Sequence, residues 1–132
     1  MTGELHLDSM LADLKPSLHP GEFVFCSLPG ACYGDYAELA PLASMLEPEG
    51  LSLVLPREAA DRSGIDYDSC HCCISLGVHS SLEAVGLTAA IAARLADRGI
   101  SANVIAGCLH DHILVPAARA GDALDALAPV PG

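Results

Sequence analysis

Apolar positions recur along this chain with two periods. Leu7, Met10, Leu11 and Leu14 stand at i, i+3, i+4 and i+7, the spacing of one helix face, and Pro16 stops that helix. Pro20-Gly21 then turns into Glu22–Leu28, where Phe23 and Phe25 alternate with Val24 and Cys26. A run apolar on both sides and rich in aromatic and β-branched residues predicts a strand buried on both faces. Pro29-Gly30 ends it, and the stretch from Ala31 to Pro41 reads as loop. Ala43–Glu47 and Leu51–Leu55 flank Glu47-Pro48-Glu49-Gly50, a hairpin turn. Pro56 suits the start of a short helix, Arg57–Ser63, and Gly64 its C-terminal cap.

The second half is more sharply patterned. Cys72–Val78 reads as a strand. Ser80-Ser81-Leu82-Glu83 matches a capping box, with Ser80 as N-cap and Glu83 three residues on. The helix it opens is predicted to run to Arg98 and end at Gly99. Leu87, Ile91 and Leu95 form its core stripe, and Gly86, Ala89, Ala93 and Ala96 a small-residue face suited to close packing. Strands at Ile100–Ala106 and His110–Val115 follow, then a short helix, Asp122–Leu127. The element order is α-β-β-β-α and then β-α-β-β-α. One more strand would complete a split βαβ, ferredoxin-like βαββαβ unit in the second half. The expected fold class is therefore α+β: two pseudo-repeated halves, residues 1–68 and 69–132, with antiparallel sheets and helices on one face.

Composition narrows the function. Six Lys and Arg against 17 Asp and Glu give a net charge of −11. That is the wrong sign for a non-specific hold on nucleic acid or on an anionic membrane. The hydrophobic fraction of 52% supports a packed core, while 4% aromatics and no Trp argue against base stacking. The longest strongly apolar stretch, Ala84–Ala93, is about half of the roughly 20 residues a spanning helix needs. The acidic N-terminus lacks the features of a signal peptide. A cytoplasmic location is expected, and with it free thiols at Cys26, Cys32, Cys70, Cys72, Cys73 and Cys108.

The segment VHSSLEAVGLTAAIAARLADRGISANVIAG, Val78–Gly107, followed by His110–Pro116, resembles a family of small bacterial proteins built from ACT domains. The opening LADLKPSLHPGEFVFCSLPG and the segment EGLSLVLPREAA resemble the N-terminal half of the same family. The likeness spans about Leu11 to about Leu127, and is similar in plan to the cytosolic arginine-sensing ACT proteins. It implies a regulatory protein that binds a small molecule, an amino acid by expectation, where the first strand meets the first helix. Carried onto this chain, the ligand loop is Val78, His79, Ser80, Ser81 and Leu82, with Gly86 and Leu87 one helical turn in. The facing strand is Asn103, Val104, Ile105 and Ala106. The resemblance also implies pairing into a dimer and a regulated protein partner.

Physical chemistry supports the same loop. A helix N-terminus presents unpaired N–H groups and the positive end of the dipole, a seat for a carboxylate even on an acidic protein. The simpler reading is that Ser80 only caps the helix and Ser81 faces solvent.

Two other chemistries compete. Cys70-His71-Cys72-Cys73 has ligand-type residues, but on a strand Cys70 and Cys72 point one way and His71 and Cys73 the other, so they cannot close on one tetrahedral zinc. The spacing Cys70-x-x-Cys73 matches a redox pair, yet leads into a strand instead of opening a helix. Cys108, His110 and His112 would share one face of a regular strand and suit Zn²⁺, although Gly107 can break that regularity. The two histidines belong to the family motif and Cys108 does not. No GxSxG, P-loop or HExxH is present, so no enzyme and no cofactor is expected. An interaction module without a ligand, pairing through a sheet edge, is the remaining alternative.

Overall fold

The computed structural model describes residues 3–78 and 86–129. In chain order its elements are helix α1 (Gly3–Ala12), strands β1 (Pro16–Leu18) and β2 (Phe23–Leu28), a 3₁₀ turn at Ala37–Leu39, and strands β3 (Ala43–Glu47) and β4 (Gly50–Pro56). There follow α2 (Arg57–Arg62), β5 (Cys70–Leu76), α3 (Leu87–Ala96), β6 (Asn103–Ala106), β7 (Asp111–Pro116), a 3₁₀ turn at Ala117–Arg119, and α4 (Ala120–Leu127). The chain divides into a continuous unit, Pro20–His71, and a discontinuous one, Met1–His19 with Cys72–Gly132. β5 starts in the first and finishes in the second.

In the continuous unit the strand order is β3-β4-β2-β5. β2 and β4 are antiparallel over six pairs, from Phe23↔Pro56 to Leu28↔Leu51. β3 and β4 form the expected hairpin, closing at Glu47↔Gly50. Gly50 is obligatory there: its φ is +143°, and a Cβ would lie 2.5 Å from the Leu28 carbonyl oxygen. Val24, Cys26, Leu51, Leu53 and Leu55 point to one face and pack with Ala59 and Ala60 of α2. Where a first helix would cross between β2 and β3, the chain forms only the short turn at Ala37–Leu39, flanked by left-handed Tyr36 and Ala40.

The discontinuous unit has the order β6-β7-β5, with β1 paired to the other edge of β5. β1 runs antiparallel to β5 through Pro16↔Leu76, Ser17↔Ser75 and Leu18↔Ile74. The strand needed to complete the second βαββαβ unit is thus present, supplied by the N-terminus and not by the C-terminal tail. A single cut at 68/69 places residues 1–19 with the first half, whereas in the structure they pack with residues 72–132. The reason is burial. Met10 and Leu14 sink into the core formed by Ile74, Leu76, Leu87, Ile91, Leu95, Ile113, Val115 and Leu127. Each such side chain removed from water contributes about 1.5–3 kcal/mol. Arg94 of α3 donates to the Leu11 carbonyl at 3.1 Å, satisfying the end of α1.

The helix after β5 departs from its expected start. Gly86, at φ +91°, lies outside helical geometry, and α3 is regular only from Leu87. The capping box at Ser80–Glu83 lies outside the described residues. The predicted core stripe Leu87, Ile91 and Leu95 is fully buried. Ala89, Ala93 and Ala96 are exposed, so the small-residue face is not a packing face. The far end is as expected. Gly99 (φ +69°) donates to Ala96 and Ile100 to Leu95, a Schellman closure. Gly64 and Ile65 close α2 in the same way, on Asp61 and Ala60.

Candidate functional site

Of the residues expected to form the ligand loop, His79, Ser80, Ser81 and Leu82 lie outside the described residues. Val78 is partly buried; its N–H donates to Leu14 at 3.2 Å, and its carbonyl oxygen lies 3.3 Å from Nδ1 of His110. Gly86 opens α3 in the left-handed region, and among the described residues no side chain caps the helix. A Cβ on Gly86 would stand 3.2 Å from the Leu7 side chain. Leu87 belongs to the core. Asn103, Val104, Ile105 and Ala106 form β6, which among the described strands pairs only with β7, through Asn103↔Leu114 to Ala106↔Asp111. Its ends, Asn103 and Ala106, are exposed.

The structure also brings together a set of side chains that sequence spacing did not. Strand alternation on β5 and β7 sends Ile74, Leu76, Ile113 and Val115 into the helix-covered core. Cys73, Ser75 and His112 therefore share the opposite face. β1 adds His19, whose N–H donates to the Cys73 carbonyl at 2.9 Å. One potential ligand atom from each of His19, Cys73 and His112 lies within 4.8 Å of the others. Ser75 sits among them, its Oγ 2.5 Å from Nε2 of His19 and 2.6 Å from Nδ1 of His112. The Cys73 thiol is also hydrogen-bonded to Ser75. A hydroxyl has one proton to give and two lone pairs, so three neighbours use its full capacity. At most one ring can accept from it, and the other must donate its N–H.

Burial sets the charge states here. It lowers the His112 pKa, and the neighbouring His19 and His110 push it further the same way, with Asp111 acting against them. Burial raises the Cys73 thiol, partly offset by the bond to Ser75. Cys73 is fully buried, while His19 and His112 are half-buried. The resting state is thus a neutral His112 imidazole beside a protonated thiol. Gly107 presses on this arrangement from outside: a Cβ there would stand 3.2 Å from Nε2 of His112.

The sets read from spacing do not close. His110 turns to Val78, Cys108 is exposed, and among the described residues only His112 of that trio joins a ligand cluster. Of Cys70–Cys73 only Cys73 does, and His71 instead packs edge-on against Phe25 with ring centres 5.0 Å apart. All six cysteines are free thiols. The signal for the true grouping was present in β5, where His71 and Cys73 were assigned one face. The missing step was a three-residue strand at Pro16–Leu18, too short for periodicity to reveal. A shallow groove in the continuous unit is lined by Glu22, Arg57, Glu58, Asp61 and Arg62. Its charges satisfy each other: Arg57 bonds Glu22 at 3.0 Å and Arg62 meets Glu58 at 3.5 Å.

Two α+β units, each with a central pair of strands flanked by two others and helices on one face, define a tandem ferredoxin-like protein. Sequence profiles of the ACT domain match residues 2–71 and 69–129. The chain belongs to the ACT domain family, whose members are typically ligand-binding regulatory domains. A solved protein of unknown function from Vibrio cholerae, described as a possible transport protein, is similar over 99% of this chain and 100% of its own. The identity is 47% and the TM-score 0.87. A protein from Agobacterium tumefaciens shares the fold at 17% identity, with TM-score 0.71 over 87% of both chains. The ligand-free regulatory subunit of aspartate kinase from Thermus thermophilus does so at 13% identity and TM-score 0.60, over 88% of this chain and 95% of that one. No curated protein matches. Among the described residues no helix is long and apolar enough to cross a membrane.

Proposed function

We propose that this chain is a cytoplasmic regulatory ACT protein that binds an amino acid at the segment between β5 and α3 and passes the bound state to a protein partner. The observation that carries the reading is the start of α3. Gly86 at φ +91° opens the helix, and among the described residues no side chain caps its first turn. A carboxylate suits such a helix end. On this reading the binding residues are Val78 to Leu82, Gly86 and Leu87, together with Asn103–Ala106 of β6. A ligand shifts such a protein only through different affinities for two states. Those states are two arrangements of a homodimer joined along β6. Calorimetric titration with each amino acid tests the proposal: one should bind with micromolar to millimolar affinity, and Ser81→Ala should weaken it. Silence from all of them at 10-fold higher concentration (~10 mM) sinks amino-acid sensing.

A second reading rests on β6 itself. An edge strand with exposed ends is a template for adding another strand. On that reading the protein is an interaction module whose partner pairs along β6. Asn103→Pro would then abolish partner binding or dimerisation while leaving amino-acid titrations flat.

A further inference from the structure

We propose that His19, Cys73 and His112 form a binding site for a single Zn²⁺ ion, beside the Ser75 hydroxyl. The site lies within the discontinuous unit and does not depend on whether the turn before α3 binds an amino acid.

Three features carry this. The first is donor chemistry: two imidazoles and one thiol are a borderline-to-soft set that selects zinc over magnesium or calcium. The second is convergence. The donors come from three strands, β1's end, β5 and β7, and their ligand atoms lie within 4.8 Å of one another. Zinc bonds of about 2.0–2.3 Å place tetrahedral donors roughly 3.3–3.8 Å apart. Donors within 4.8 Å of one another must draw in to that size around the ion.

The third feature is support. The Cys73 carbonyl is tied to the His19 N–H at 2.9 Å, which fixes the strand carrying one ligand against the residue carrying another. Gly107 lets the backbone approach the His112 ring closely. Three protein ligands leave one position of the tetrahedron for Ser75 or for water. On binding, the Cys73 S–H bond breaks, the Zn–S bond forms, and the proton leaves to solvent. Ser75 loses its hydrogen bonds to the two rings, because the nitrogens that faced it now face the ion.

The competing view is that Ser75 is only a hydrogen-bonded hub and that no ion enters. The two are separable with untagged full-length protein, stripped with a chelator and titrated with Zn²⁺ and then Co²⁺ alone. The site predicts one equivalent bound, a thiolate-to-cobalt absorption band in the near ultraviolet and intense visible bands of a tetrahedral ion. Because Cys73→Ser changes a fully buried residue and can fail to fold, His19→Ala at the surface-facing end of β1 is the main variant. It should weaken Zn²⁺ binding roughly 100-fold or more, above the 10–100-fold range of lost supporting residues. Ser75→Ala and Cys108→Ser should both retain one tightly bound ion. The proposal is overturned by absence of stoichiometric binding. A metal that binds equally well to His19→Ala, or one lost on Cys108→Ser, overturns it too.

Discussion

The two units share one strand order but reach it differently. In the continuous unit, residues 20–71 supply all the strands in sequence, and the crossover after β2 has shrunk to a 3₁₀ turn. The discontinuous unit keeps a full crossover helix, α3, and takes its outermost strand from the opposite end of the chain. The first therefore closes through short-range contacts, with the hairpin at Glu47–Gly50 fixing register. The second must bring residue 17 against residue 75, a long loop to close before the pairing stabilises it. Both candidate sites, the segment between β5 and α3 and the His19–Cys73–His112 cluster, belong to the second unit. Long-range pairing is what assembles donors that are remote in sequence.

That contrast is tested most strongly by removing residues 1–19. The truncation deletes β1 and takes Met10 and Leu14 out of the core. Its cost should exceed the ~2–5 kcal/mol of one buried Leu→Ala change. Hydrogen exchange should show protection lost in β5–β7 and α3 but retained in β2 and β4. Equal loss in both would mean the units do not fold separately. The converse perturbation is Gly50→Ala. A Cβ there meets the Leu28 carbonyl at 2.5 Å in a left-handed backbone. We expect a loss of about 2–4 kcal/mol, read by denaturant titration, with exchange accelerated first in β2–β4. Acceleration first in β6 and β7 would contradict the division.

Local signals in the sequence carried most of the elements. Gly64 and Gly99 end α2 and α3 because only glycine takes the left-handed turn there at no cost, and that is legible residue by residue. The apolar stripe Leu87, Ile91, Leu95 and the turn at Glu47–Gly50 are legible in the same way. Pairing partners are not. Nothing in PSLH announces that Ser17 meets Ser75, since a three-residue strand has no period to detect. Spacing along one strand, from Cys108 to His112, therefore reaches one member of the His19, Cys73 and His112 cluster and not the other two. The expected entry to α3 also could not be settled from sequence. A glycine inside an apolar periodic run reads as a tolerated helical residue, whereas Gly86 at φ +91° breaks it.

Each unit also holds a histidine whose burial lowers its pKa, His71 in the continuous one and His112 in the other. The sign follows from linkage. The unfolded chain binds a proton at the ordinary imidazole value, near 6.5, while the folded one holds off until lower pH. Stability is thus complete above that value and falls as the pH drops from about 6.5 through the folded pKa. Each unit should therefore lose stability on the acid side. His112→Asn should flatten the acid side of its unit's pH–stability curve, and His71→Asn that of the other. Thermal melts from pH 7 down to 5 in the two variants check this, and an unchanged acid side in either would remove that histidine's role.

The smallest effect expected has the opposite sign. Gly121 lies in the first turn of α4, exposed, at an ordinary helical φ, and a Cβ there meets nothing within 4 Å. Alanine removes conformational freedom from the unfolded chain at no steric cost in the folded one. Gly121→Ala should therefore stabilise the discontinuous unit by about 0.5 kcal/mol and at most ~1 kcal/mol. Set beside Gly50→Ala, it separates two meanings of the same residue type: one glycine demanded by a backbone approach, the other merely tolerated in a helix. A melt showing Gly121→Ala destabilising by as much as Gly50→Ala would mean that α4 is packed against something at that position. The open surface assigned to its first turn would then be wrong.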